Sequence, residues 1–93
     1  MLSQIPEDLK NLKKEDVDKE VVRLGMAAEL DAISFYEQLA AITENQGIKK
    51  VFMDIAKEEK THLGEFEALL LRLDKEQVEE LESGKTEVDE LIG

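Results

Sequence analysis

The chain has 93 residues, one proline and no cysteine, with 42% hydrophobic and 4% aromatic residues. Its formal net charge of -11 repels phosphate backbones and anionic lipid surfaces, which argues against a nucleic-acid or membrane partner. The composition favours one all-α domain. Because the chain has no cysteine, disulfides and thiolate metal sites are excluded. A domain this short therefore needs metal bound by oxygen or nitrogen ligands, or an oligomer, for stability.

The first 15 residues contain the only proline, Pro6, in a stretch of mixed charge. Its apolar residues are spaced as in a short helix or a docking arm: Leu2, Ile5, Leu9 and Leu12. We predict an N-terminal arm over residues 1–15. The segment lacks the basic and then apolar order of a signal peptide, and no apolar run approaches the ~20 residues that span a bilayer. These features predict a soluble, cytoplasmic protein.

Residues 16–45 contain no proline and carry a continuous apolar face, which predicts the first long helix. The positions of this face alternate in steps of four and three: Val22, Met26, Glu29, Ile33, Tyr36 and Ala40. A second apolar line recurs at every seventh residue: Val21, Ala28, Phe35 and Ile42. One partner helix cannot cover both lines, so we expect further chains to bury the second.

The segment Asn45-Gln46-Gly47 interrupts this pattern, and we expect the chain to reverse there with Gly47 as the C-terminal cap of the first helix. Residues 48–73 repeat the helical spacing and predict a second helix. Its apolar stripe comprises Ile48, Phe52, Ile55, Glu59, His62, Phe66, Leu69 and Leu73. The two helices are predicted to form an antiparallel hairpin.

A short third helix is predicted over residues 75–83, capped by Asp74 and ended by Ser83-Gly84. Residues 85–93 are then a tail. No repeat, linker or low-complexity tract divides the sequence, so residues 1–93 are predicted to form a single domain.

Three ionisable side chains occupy apolar-stripe positions: Glu29 on the first helix, and Glu59 and His62 on the second. Burying unpaired carboxylates costs several kcal/mol, so a cation, a hydrogen-bond network or solvent must compensate them. At ~1.5 Å of rise per residue, the three positions lie at a similar height in the hairpin. A helical glutamate opposite Glu-x-x-His is half of a four-helix carboxylate di-metal site, and a two-fold dimer would supply the other half.

The run from Ala28 to Gln38, followed by Glu58-Glu59-Lys60-Thr61-His62, resembles the encapsulated ferritins, short relatives of ferritin and rubrerythrin. The resemblance implies a ferritin-like four-helix bundle formed by two chains. It also implies ferroxidase activity at a di-iron centre shared between them, with two iron ions per dimer. The resemblance further implies that such dimers assemble into a decameric ring inside a cytoplasmic encapsulin nanocompartment for iron storage, with the encapsulin shell protein as partner.

Carried over by position, the resemblance implies that Glu29, Glu59 and His62 are iron ligands and that Tyr36 lies beside or on the site. Asp31 matches an acidic position associated with the entrance of iron, where calcium is a further candidate ligand. Ala28 and Phe35 depart from the family pattern, in which an acid and a tryptophan are common. No shell-docking peptide of the usual kind is recognised at the C-terminal end, which predicts a shortened chain or the cargo half of a fusion.

Two other interpretations fit the same residues. A rubrerythrin-like peroxide reductase would use the same ligands, although the absence of cysteine argues against a fused rubredoxin electron donor. Alternatively, the chain is a helical assembly module whose inward glutamates bind zinc or calcium only to hold an oligomer together. Peroxide consumption would distinguish the peroxide reductase from a ferroxidase. Metal-dependent assembly without iron turnover would distinguish the assembly module.

Overall fold

A computed structural model describes residues 11–93, and this part of the chain forms three α-helices without strands. Helix α1 spans Lys14–Ile42, α2 spans Gln46–Leu73 and α3 spans Lys75–Ile92. The all-α class and the antiparallel α1–α2 hairpin are therefore as predicted. Helix α1 begins two residues before the predicted start, and the predicted arm residues Leu2, Ile5 and Leu9 lie outside the described residues. Within residues 11–93, none of the helices carries an apolar stretch sufficient to cross a membrane.

The reversal between α1 and α2 differs from the prediction. Helix α1 ends at Ile42 rather than residue 45, because Thr43 is extended and its hydroxyl accepts a hydrogen bond from the Asn45 backbone N–H at 3.2 Å. Asn45 is the N-cap of α2 and accepts from the backbone N–H of Ile48 at 3.0 Å. Such side chains compete with helical backbone hydrogen bonds. Gly47 therefore lies inside α2 and caps nothing.

The predicted end of the third helix at Ser83-Gly84 is wrong, because α3 continues to Ile92. A glycine ends a helix by adopting a left-handed conformation, and the described glycine with a positive φ is Gly93, at 87°. A single interior glycine costs only about 1 kcal/mol relative to alanine, which the following helical turns offset. The predicted tail of residues 85–93 is therefore helical up to Ile92.

Helices α1 and α2 pack along their length around a thin core. The buried apolar residues of the described chain are Val22, Ile33, Ala40, Ala56 and Leu70. The three on α1 belong to the predicted stripe, but Ala56 and Leu70 lie beside the stripe predicted for α2. The face of α2 that meets α1 is thus rotated from the prediction, because close packing against α1 favours the small Ala56. Several stripe residues of α2 remain exposed, including Ile48 at 45% and Leu69 at 48%.

Asp74 forms the corner between α2 and α3. Its Oδ1 accepts a hydrogen bond from the backbone N–H of Gln77 at 3.1 Å, as the predicted cap requires. Its Oδ2 accepts from Arg23 Nη2 at 3.1 Å, and Arg23 also pairs with Glu20 at 2.9 Å. The hydrogen bond that Arg23 donates to the Glu20 carboxylate raises the pKa of Arg23 above its ordinary value. Helix α3 contacts α2 but not α1 in the described chain. The Arg23–Asp74 ion pair therefore links α1 to the corner between α2 and α3.

Candidate metal centre

Glu29, Glu59 and His62 converge between the two hairpin helices. His62 Nδ1 lies 3.9 Å from Glu29 Oε2 and 3.7 Å from Glu59 Oε2. One ligand atom from each residue lies within 4.8 Å of the others, and this is the group of three potential metal ligands within residues 11–93. Two carboxylates and one imidazole could together hold a metal ion.

The helical register explains this convergence. Glu59 and His62 are three residues apart on α2 and therefore share a face of the helix. Glu29 on α1 reaches the same height because the hairpin is antiparallel and its connection is short, with α1 ending at Ile42 and α2 beginning at Gln46. The structure thus brings together the three side chains that the sequence pattern singled out.

Glu29 has an uncompensated oxygen. Its side chain is 17% exposed, and its Oε2 is buried without a hydrogen-bond partner in the described chain. Leaving a buried acceptor unsatisfied costs about 1–3 kcal/mol, and more when the group is charged. A cation bound between Glu29, Glu59 and His62 would remove this cost, so the donor set fits a metal ion.

His62 is more open to solvent than the two glutamates. Its side chain is 46% exposed, against 20% for that of Glu59. It borders an open groove of about 530 Å³ on α2, which Phe66, Leu69 and Arg72 also line. The rotation of α2 described above accounts for this exposure, because His62 belongs to the part of the stripe that α1 leaves uncovered. One side of the candidate centre is therefore open in a single chain.

The contacts that the structure gives Tyr36 are aromatic. Its ring centroid lies 5.8 Å from that of Phe35 and 6.0 Å from that of Phe52. Asp31 is partly exposed and lies outside the three-residue group. The metal-related roles of Tyr36 and Asp31 therefore stay predictions.

Two contacts between the hairpin helices were not predicted from the sequence, although Phe66 was placed on the apolar stripe of α2. Phe66 packs closely against Gly25, one helical turn from the ligands. Lys60 Nζ pairs with Glu37 Oε2 at 3.0 Å on the flank of the hairpin. Gly25 carries no periodic signal of its own, although its place one turn before Glu29 could have suggested close helix packing.

Comparison with known proteins agrees with the fold of the chain. The profile of the family described as Rubrerythrin matches residues 5–90. The crystal structure of an encapsulated ferritin domain from Pyrococcus furiosus superposes with a TM-score of 0.85 and 48% identity, covering 97% of this chain and 95% of that one.

Two curated proteins are also similar. A ferritin-like–encapsulin shell fusion protein of Pyrococcus furiosus is 55% identical over 74 residues, which cover 80% of this chain and 21% of the relative. The encapsulin nanocompartment cargo protein EncC of Myxococcus xanthus is 39% identical over 56 residues, or 60% of this chain and 43% of the relative. The matched part of the chain thus spans less than half the length of each of these two curated relatives. The chain belongs to the rubrerythrin family of ferritin-like proteins and has the fold of an encapsulated ferritin domain.

Proposed function

We propose that this protein is a ferroxidase that oxidises Fe²⁺ at a centre shared between two copies of the chain. Each copy contributes Glu29, Glu59 and His62. The observation that carries the proposal is the convergence of these three donors within 4.8 Å, with the Oε2 atom of Glu29 buried and unpartnered. Iron is here both the substrate and the ion that the donor set binds.

The donor chemistry supports iron. Carboxylate oxygens are hard ligands that stabilise Fe³⁺ relative to Fe²⁺, and neutral imidazole suits iron as well as zinc and copper. Two copies would place four carboxylates and two imidazoles around two ions, so the ligands carry four negative charges. Such a set favours the loss of one electron from each Fe²⁺ to dioxygen. Glu59 of each copy would hold iron together with Glu29 and His62, and Tyr36 is proposed as a neighbour of the site.

The open side of the centre supports a shared site. A carboxylate di-metal site in a four-helix bundle uses two lone glutamates and two Glu-x-x-His motifs, and this chain has one of each. The half-exposed His62 and the apolar groove beside it lie where a second hairpin would pack. The second apolar line of α1 is also uncovered, with Val21 54%, Phe35 47% and Ile42 72% exposed. A two-fold dimer would bury both surfaces.

The relatives support a location inside a protein shell. One is described as a fusion with an encapsulin shell and another as an encapsulin nanocompartment cargo protein. We propose that dimers of this chain assemble into a decamer inside an encapsulin nanocompartment in the cytoplasm, where the ferric product is stored. Asp31 is proposed to lie on the route by which iron enters, with calcium as a candidate occupant.

Aerobic oxidation of added Fe²⁺, followed by the absorbance of the ferric product, tests the activity. The wild-type chain is expected to oxidise iron well above the protein-free rate, and Glu59→Ala to fall to that rate. Glu58→Ala is the matched control, because Glu58 is the exposed neighbour of Glu59 on the same helix and its loss should leave the rate unchanged. Wild-type rates in Glu59→Ala would contradict the proposal.

The same samples distinguish the other interpretations. The name of the matching family makes a rubrerythrin-like peroxide reductase the second candidate. Faster consumption of peroxide than of dioxygen, with an added electron donor, would favour it. Mass measurements with and without metal address assembly. Background iron oxidation together with Zn²⁺-driven assembly would favour a structural metal site.

A further inference from the structure

Next to the candidate centre, Phe66 of α2 leaves little room for a side chain at Gly25 of α1. Gly25 is one helical turn before Glu29 on α1, and Phe66 is one turn after His62 on α2. A β-carbon at position 25 would lie 3.2 Å from Cε1 and Cζ of Phe66 and 3.3 Å from Cδ1. One edge of the Phe66 ring therefore occupies the space that any larger residue at position 25 would need.

We propose that the Gly25–Phe66 contact sets the separation of α1 and α2 at the metal centre, which makes Gly25 a positioning residue for Glu29 and His62. The distance between packed helices depends on the side chains at their contact. One helical turn is only about 5.4 Å, so a displacement at Gly25 reaches the next turn almost undiminished. The effect of this helix spacing on metal binding rests on the proposed function. The spacing itself can be measured whether or not the chain binds metal.

Small displacements matter at such a centre. Ligand atoms of a metal site must be held within about 0.5 Å of the productive geometry. A β-carbon at position 25 requires a movement of a few tenths of an ångström, either by a turn of the Phe66 ring or by separation of the helices, and a larger side chain requires more. Both responses act on the helix segment that carries His62, because Phe66 and His62 are four residues apart and neighbours on α2.

Gly64 provides a matched control. It lies on the same helix as His62, two residues away, but a β-carbon there would have no neighbouring atom within 4 Å. A side chain at position 64 therefore changes helix propensity as one at position 25 does, without changing the contact between α1 and α2. A difference between the two positions isolates the effect of helix spacing.

The test compares Gly25→Ala and Gly25→Val with Gly64→Ala and Gly64→Val. Co²⁺ affinity is measured by visible absorption, and crystal structures of the metal-free full chain give the Cα separation of residues 29 and 62. We expect Gly25→Val to weaken Co²⁺ binding about tenfold or more, the range seen for lost ligand support. Gly25→Ala should have a smaller effect, and both Gly64 variants should bind as the wild type does. Combining Gly25→Ala with Phe66→Leu should restore affinity, because the smaller side chain frees the space.

Wild-type Co²⁺ affinity and unchanged separation in the Gly25 variants would overturn the inference, as would an equal loss of affinity in the Gly64 variants. If Gly25→Val does not fold, Gly25→Ala and its rescue by Phe66→Leu decide the matter. If the wild-type chain binds no Co²⁺, the proposed function fails. The Cα separation in the metal-free variants then still tests the spacing.

Discussion

Replacing Glu29 with leucine should stabilise the chain without metal while abolishing its stabilisation by metal. The Glu29 side chain is 17% exposed and its Oε2 is buried without a partner. An unsatisfied buried acceptor costs about 1–3 kcal/mol. Because one of the two carboxylate oxygens is affected, we expect Glu29→Leu to raise the free energy of unfolding by about 1 kcal/mol, or the Tm by about 4–8 °C for a domain of this size.

Thermal unfolding followed by far-ultraviolet circular dichroism measures both effects. In a chelator, Glu29→Leu should melt above the wild type. With Zn²⁺ or Co²⁺ the wild type should gain stability, since an ion that binds only the folded state raises the Tm, and the variant should gain none. Glu58→Leu is the control, because it removes the same charge from an exposed position. Protein concentration is held constant because assembly also affects the Tm.

The two effects of Glu29→Leu on the Tm have opposite signs, and each can be contradicted separately. A lower Tm than the wild type in chelator would mean that Glu29 is already compensated by a partner. An equal rise in Glu58→Leu would assign the effect to the general loss of negative charge. A retained metal-induced shift in Glu29→Leu would remove Glu29 from the ligand set.

Three further predictions concern the ends of α1 and α3 and the interior of α3. Lys49→Met removes the 2.7 Å hydrogen bond from Lys49 Nζ to the carbonyl of Ala40 at the C-terminal end of α1. We expect the free energy of unfolding, measured in urea, to fall by about 1.5–3 kcal/mol. An unchanged unfolding midpoint would contradict this prediction. Asp74→Ala removes both the cap of α3 and the partner of Arg23. It should speed amide hydrogen exchange in α3 and destabilise the chain by about 1 kcal/mol. Exchange rates equal to those of the wild type would show that Asp74 does not stabilise α3. Gly84→Ala should stabilise the chain by up to about 1 kcal/mol, because Gly84 lies in the helix interior with open space around it; destabilisation would instead indicate a left-handed glycine there.

The helices and the identity of the converging residues were predictable from the sequence. Helical periodicity is a local property, and it placed Val22, Ile33 and Ala40 correctly on the buried face of α1. The same periodicity set Glu29 at the height of Glu59 and His62, because the rise per residue is fixed by backbone geometry. An antiparallel hairpin with a short connection leaves little freedom in that register.

The ends of the helices were less predictable, because they depend on small differences in free energy. At position 84 glycine was expected to end α3, but its cost of about 1 kcal/mol is offset by continued helix formation. At Thr43 and Asn45 side-chain hydrogen bonds ended α1 earlier than the glycine at position 47 suggested.

The sequence by itself determined the all-α hairpin and which three side chains share one level of it, because both follow from local helix geometry. The tertiary structure alone decided how far α2 is rotated about its axis, and therefore that Ala56 is buried while His62 is half exposed. It also decided that Phe66 lies against Gly25 and that one oxygen of Glu29 has no partner. These features depend on how side chains of specific shape fill the space between two helices, which periodicity does not encode.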